Sequence, residues 1–284
     1  MLGLPALGKE PSVTVIDSGR WRPTLAGFAE LWGYREVLFA LTARYFKVKY
    51  KQAAIGIGWT VVQPLVAALL FSVFLGRFAH LPSEHVSYFV FALAGMVGWS
   101  FFSSAVASAA DSIIRDQTVL RKVYFPREAL PLAAVGAALA DLPAALVLLL
   151  IAATVSGIRP SLTWLLLPLP ILILILSAVG LGMVMATLNV YYRDVRYALP
   201  FLLQAMLFST PIVYSIQLVP DKWRLLYGTL NPVATAVEDI RRLVLHGTWP
   251  DPLRNAGAML TILVVLSLGY YLLKTLERDF ADRV

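Results

Sequence analysis

Residues 111–128 read DSIIRDQTVLRKVYFPRE, a charged island with a long apolar run on either side. Asp111 or Ser112 can cap a helix N-terminus through a side-chain oxygen. Ile113, Ile114, Gln117, Leu120 and Tyr124 follow at helical spacing and form one face. Arg115, Asp116, Arg121 and Lys122 fall mostly on the others. Pro126 disfavours helical geometry at Phe125 and separates the island from the next run. The expectation is a short helix over about 111–125 that docks onto something outside the membrane. The plain alternative is a solvated loop, for which such a stripe and stop would be unnecessary.

The flanking runs set the class. Of 284 residues, 59% are hydrophobic and 14% charged, whereas soluble domains are nearer half apolar and a quarter charged. The chain is therefore an all-α polytopic membrane protein. Six spans, each long enough for a bilayer core that needs about 20 residues, are expected near 58–78, 87–110, 129–156, 162–190, 198–217 and 255–274. Residues 1–24 are a polar lead-in broken by prolines, with none of the pattern of a signal peptide. Residues 25–54 are too charged to span. Leu31, Tyr34, Leu38, Leu41, Tyr45 and Val48 form an apolar stripe there, Arg44, Lys47 and Lys51 lie on another face, and Trp32 stands near the start. That pattern describes an amphipathic helix in the membrane interface, the alternative being a soluble helix packed on a partner. Residues 55–284 then form the transmembrane domain.

Basic residues orient the chain. With the N-terminus inside, the inside segments hold 17 of the 24 Lys and Arg, so both termini and the island are expected to be cytoplasmic. The net charge of +7 is explained by topology and anionic lipid, not by nucleic acid. Residues 218–253 form the long connection on the outer face. Pro220 opens one short helix with Trp223, and Asn231–Pro232 breaks it and caps a second. Val233, Val237, Ile240 and Val244 give the second an apolar face, and Gly247 ends it. A hairpin of two short amphipathic helices beside the membrane exit is expected, with Trp223, Val237 and Ile240 turned inward. A simple external cap is the alternative.

No catalytic constellation is visible. There is no phosphate loop ending in Lys-Ser or Lys-Thr and no HExxH. The absence of cysteine excludes disulfides and thiolate chemistry, and His80, His85 and His246 form no metal-ligand pair. Asp141 is the acidic residue deepest in an apolar run; an ionisable residue there is a functional candidate, and an interfacial or helix-paired Asp is the bland reading. Ala133, Gly136, Ala137 and Ala140 would let the third span approach a neighbour closely. Aromatics cluster in the first, second and fifth spans. A channel for sugars would use aromatic faces, and Phe71, Trp99, Phe102, Phe208 and Tyr214 are the expected lining, although lipid-facing positions account for most such rings.

Five segments resemble the membrane subunits of polysaccharide and teichoic-acid ABC exporters: KYKQAAIGIGWTVVQPL (Lys49–Leu65), LRKVYFPRE (Leu120–Glu128), NVYYRDVRY (Asn189–Tyr197), TPIVYS (Thr210–Ser215) and LNPVA (Leu230–Ala234). They occur in the family's order over nearly the whole chain. The resemblance implies a homodimer of six-helix permeases in the plasma (inner) membrane. It implies two copies of a separate ATPase subunit that hold the ATP and Mg, with no cofactor on this chain. The island becomes the coupling helix in the ATPase cleft, through Ile113, Ile114, Arg115, Leu120, Arg121 and Lys122. The 218–253 hairpin becomes the exit gate, and the cargo a lipid-linked polysaccharide carried to the outer side. An ion-gradient-driven lipid flippase or secondary carrier is the alternative and would favour several buried charges. A membrane-embedded transferase would need convergent His, Asp or Glu at one depth.

Overall fold

The computed structural model describes residues 31–51, 56–120 and 125–277. Among them the secondary structure is entirely helical. Helix α1 (Arg35–Tyr50) precedes a first span built from a 3-10 turn (Gly56–Gly58), α2 (Trp59–Phe71) and a π-type segment (Ser72–Phe78). Helix α3 (Tyr88–Arg115) is followed by the single turn α4 (Gln117–Leu120). The third span is α5 (Ala129–Leu139) and α6 (Leu142–Val155), and the fourth is a 3-10 turn (Leu162–Leu166) with α7 (Pro168–Tyr191). Then come α8 (Val195–Ser209), α9 (Asp221–Leu230), α10 (Pro232–Arg241) with a π-type extension (Arg242–His246), and α11 (Pro252–Leu276).

Five stretches are long and apolar enough to cross a membrane: 56–78, 88–115, 129–155, 162–191 and 252–276. They fall on the first four and the sixth of the expected spans. The fifth differs. Helix α8 has 15 residues, so it rises about 22 Å against a bilayer core of about 30 Å. It stops because Pro211 pushes Thr210 into extended geometry (φ −99°, ψ 139°).

The bundle is centred on α3, whose residues Val90–Trp99 are buried without interruption. It packs against α2, α5, α6, α7 and α10, and α7 in turn packs against α11. Small residues allow this crowding: a Cβ on Gly182 of α7 would stand 2.7 Å from the Ala109 methyl of α3. One end of the bundle, here the basic end, is closed by Arg196–Asp111 (3.5 Å), Lys274–Glu128 (2.9 Å) and Arg127–Glu277 (3.9 Å). The other, the hairpin end, carries the loop before α3 and the approach to α9.

The island departs from expectation. Asp111 and Ser112 cap nothing, because α3 runs through them to Arg115. No residue between 88 and 115 breaks a helix, and the Ser112 hydroxyl donates back to the Ala109 carbonyl (2.7 Å). The chain leaves the helix at Asp116 (φ −106°, ψ 22°), and only Gln117–Leu120 forms a separate turn. Helix α1 also differs in what its stripe meets. Leu41 and Tyr45 are buried and Leu31, Tyr34 and Leu38 are packed on the core, so that face rests on the bundle, along α5. Phe39 and Val48 are the large apolar side chains left exposed on it, and Trp32 is exposed just before it.

Candidate functional site

At the hairpin end the remainder of the expected fifth span is supplied by non-helical chain over Thr210–Ser215. Non-helical backbone at membrane depth persists only where protein satisfies its polar groups. Thr210–Val213 and Ser215 are buried, and their carbonyls can be accounted for one by one. The Arg241 guanidinium donates to the Pro211 carbonyl (2.6 Å), the Tyr214 carbonyl (3.3 Å) and the Ile212 carbonyl. Its Nε donates to the Phe91 carbonyl on α3 (3.4 Å), and its plane lies 3.6 Å from the Phe91 ring centroid. The Tyr88 hydroxyl donates to the Val213 carbonyl, and the Tyr227 hydroxyl to that of Ser209. The Asn231 amide reaches the Thr210 hydroxyl (2.9 Å). Arg241 is 0% exposed and stands where α3, α10 and the extended segment meet.

The same network reaches the loop before α3. Glu84 accepts from the Ser215 hydroxyl and meets His246 at 2.9 Å. Burial pushes its carboxyl upward, but His246, Ser215 and the Arg241 charge outweigh that and hold it below the usual glutamate range. Glu84 and His85 take positive φ (53° and 67°), a costly backbone that these contacts hold in place.

Helices α9 and α10 form a re-entrant hairpin. Its tip, Asn231–Pro232, lines a cavity of about 430 Å³ with Phe102, Ser177, Leu181 and Ile262, all close to the middle of their spans. Each arm of ten residues is about 15 Å long, half a bilayer core. The Asn231 side chain caps α10 by accepting from the Ala234 N–H (3.2 Å). Helix α10 is buried from Val233 to Arg241, and its Glu238 and Asp239 face Arg242 (3.5 Å) and Arg254 (3.6 Å).

At the basic end two carboxylates hold α1. Asp116 accepts from the Arg44 guanidinium (2.5 Å) and the Tyr45 hydroxyl (2.5 Å), with Arg115 at 3.7 Å. Burial and the Asp116 bond push the Tyr45 phenol upward, so it stays protonated as the donor. Asp141, at the break between α5 and α6, accepts from Lys49 (2.5 Å) and from the Tyr50 hydroxyl. Lys49, Tyr50 and Asp141 line a cavity of about 170 Å³ with Trp59, Gln63, Ser100 and Ser104.

The sequence profile of the family described as ABC-2 type transporter matches residues 36–245, from the start of α1 to the end of the hairpin. The chain belongs to the ABC-2 type transporter family. It is 29% identical over 262 residues to the O-antigen export system permease protein RfbA of Myxococcus xanthus, covering 90% of this chain and 98% of that one. Against the protein of the same name from Klebsiella pneumoniae it is 27% identical over 256 residues, 87% of this chain and 94% of the other. Against the polysialic acid transport protein KpsM of Escherichia coli it is 26% identical over 243 residues, 84% and 92% of the two chains.

In this ABC-2 chain the residues expected to act are differently placed. Trp99 and Phe102 are buried in the core of a single chain, packed on each other with centroids 5.6 Å apart, so they do not face outward; Phe102 lines the cavity at the hairpin tip. Phe71 is half-buried, Phe208 is 57% exposed, and the Tyr214 hydroxyl lies 3.1 Å from that of Tyr227. Ile113 is sealed in the core and offers no docking contact, because α3 continues through it. Ile114 and Leu120 are half-buried and Arg115 is exposed, its guanidinium 4.1 Å from the Tyr45 ring centroid. Arg121 and Lys122 lie outside the described residues. Val237 and Ile240 are fully buried against Gly98 and Leu174, whereas Trp223 is 52% exposed and not turned inward. Lys47 and Lys51 are exposed, as is Trp32, and Arg44 is committed to Asp116.

Arg241, Glu84 and Asp116 were not singled out from the sequence. The usable signal for Arg241 is Thr210–Pro211 cutting an apolar run too short to span, with an Arg in the next apolar-faced helix. Asp239 and Arg254 form a buried charge pair as well.

Proposed function

We propose that this chain is the permease subunit of an exporter of lipid-linked polysaccharide, moving it from the cytoplasmic to the outer side of the plasma (inner) membrane. Two copies form the channel, and two copies of a separate ATPase subunit supply ATP hydrolysis. The observation that carries this reading is the near full-length similarity to O-antigen export permeases. The lack of a phosphate-binding loop in the sequence supports an ATPase on another chain. The surplus of Lys and Arg around the basic end supports placing that end, and both termini, in the cytoplasm. The turn Gln117–Leu120 hangs directly from the long central helix, so a partner pressing there acts on α3.

The test combines genetics with biochemistry. Deleting the gene should remove the surface polysaccharide and leave its lipid-linked precursor inside the cell, and the tagged chain should co-purify with an ATPase. A cysteine at Gln117, in a chain that has none, should stay unlabelled by an impermeant thiol reagent added outside. Normal surface polysaccharide in the deletion strain, or labelling of that cysteine in intact cells, would refute the reading. Buried charges, the Asp239–Arg254 pair among them, favour an ion-driven carrier. On that alternative an ionophore, and not ATP depletion, would stop transport.

A further inference from the structure

Asp116 forms the corner between the central span and the turn that follows. Its N–H donates to the Ser112 carbonyl (3.2 Å), and its own carbonyl accepts from the N–H groups of Val119 (3.0 Å) and Leu120 (3.1 Å). One residue thus closes α3 and opens α4. Its side chain is 0% exposed and is bound by two consecutive residues of α1, Arg44 and Tyr45. A buried carboxylate released from its partners is left as an uncompensated charge, so this joint resists opening. Arg115, stacked on the Tyr45 ring, adds a third side chain to it.

Five residues further along α1, Lys49 and Tyr50 hold Asp141 at the break in the third span. The two pins are separated by about 7.5 Å of rise on one rigid helix. Between them α1 lies on small side chains of α5. Thr42, just before the first pin, rests on Gly136, and between the pins Ala134, Ala137 and Ala138 line a cavity of about 250 Å³ with Arg44, Tyr45, Lys49 and Arg115. The contact between the pins is therefore smooth and loosely filled, while the pins themselves are charged and tight.

We propose that α1 is a strut between the α3–α4 corner and the α5–α6 break. Asp116 with Arg44 and Tyr45, and Asp141 with Lys49 and Tyr50, are its positioning residues. The proposal deepens the export reading, on which it rests for the source of the push. A partner pressing on the turn then acts on the third span through Asp141 as well as on α3 directly. The strut gives Asp141 a role that needs no proton.

Two measurements test it. The first uses the chain alone, so it does not depend on any ATPase. Ser104→Cys places a thiol in the cavity beside Lys49 and Asp141, about 18 Å along α3 from Asp116. Asp116→Asn should raise its maleimide reactivity at least threefold, and Asp141→Asn should do so too. If Asp116→Asn leaves that rate unchanged while Asp141→Asn raises it, the pins act separately and the strut is wrong. The second uses the complex in cells. Lys49→Gln and Asp141→Asn should keep ATPase association and hydrolysis within twofold while lowering export at least tenfold, and the exchanged pair Lys49→Asp with Asp141→Lys should recover part of it. Unchanged export in both single variants would overturn the proposal. So would loss of export in step with loss of thermal stability, which would mark a structural pair only. A chain that passes the thiol test yet binds no ATPase would locate the failure in the export reading instead.

Discussion

Arg241 does at one point what a length of helix would otherwise do. A lysine is a poor replacement, because its compact ammonium lacks the planar fork that spreads donors over four carbonyls here. Arg241→Lys should leave part of the Thr210–Ser215 backbone without donors, and Arg241→Leu should leave the Pro211, Ile212 and Tyr214 carbonyls bare of theirs. Burying unsatisfied carbonyls costs about 1–3 kcal/mol each, so the leucine variant is expected to fail to accumulate as folded protein. Fluorescence-detected size exclusion of tagged variants checks this: a monodisperse peak of wild-type height for Arg241→Leu would show that the segment is held by other means. Glu84 makes a second prediction. Its folded carboxyl titrates below its unfolded value. The contribution is therefore complete above the ordinary glutamate range near 4.3 and is lost as pH falls through the lower folded value. In detergent, wild-type melting temperature should drop more steeply than that of Glu84→Gln as pH is lowered past about 4. Parallel curves for the two proteins would remove Glu84 from the acid response.

The elements show how sequence periodicity can place a helix and still misjudge its surroundings. The runs at 56–78, 88–115, 129–155 and 162–191 were legible because length and hydropathy alone determine a span. Asn231–Pro232 was legible as a break and a cap because Asn and Pro do this locally. What could not be read was which side of a helix is filled by the same chain. The stripe Val233, Val237, Ile240 is apolar as expected, yet it is buried inside the bundle, Val237 and Ile240 beside Gly98 and Leu174, and does not face an external mouth. Likewise the spacing of Ile113 and Ile114 cannot tell the end of a long span from the start of a short helix, because a cap-capable Asp or Ser is also tolerated within a helix. The packing of α10 on α3 gives a paired test. A Cβ on Gly95 would lie 2.6 Å from the Ile212 carbonyl oxygen and 3.0 Å from the Arg241 guanidinium, whereas on Gly98 it would meet only side-chain methyls at 3.4 Å. Gly95→Ala should therefore lower the melting temperature by many degrees or prevent folding, and Gly98→Ala should stay within about 1 kcal/mol of wild type. Equal behaviour of the two would mean that the extended segment does not lie against α3 as described.

For the whole molecule, what the single chain leaves uncovered differs from span to span. Helix α11 exposes Leu260, Leu263, Val264, Ser267, Leu268 and Tyr271, a mainly aliphatic face of the kind that lipid tails cover. Helix α8 exposes Tyr197, Phe201, Gln204, Phe208 and Ser209. The Ser209 hydroxyl is satisfied by the Met206 carbonyl (3.2 Å), but the Gln204 amide facing hydrocarbon would go unsatisfied, so this face is matched to protein or to a wet path and not to lipid. The span containing α2 is also largely uncovered and, like α8, packs on α3, so the two flank the central helix. The arrangement predicts that a second copy is seated against α8 and α2, and that a channel between copies is lined by Phe201 and Phe208 in preference to Trp99 and Phe102, which the core already encloses. Because the chain has no cysteine, single replacements report contact between copies without background. Cysteine at Phe201 or Phe208 should give oxidative dimers in native membranes, and cysteine at Val264 or Leu268 should not. Dimers formed through α11 and absent from α8 would move the interface to the aliphatic face, and α8 would then need some other chain to cover Gln204.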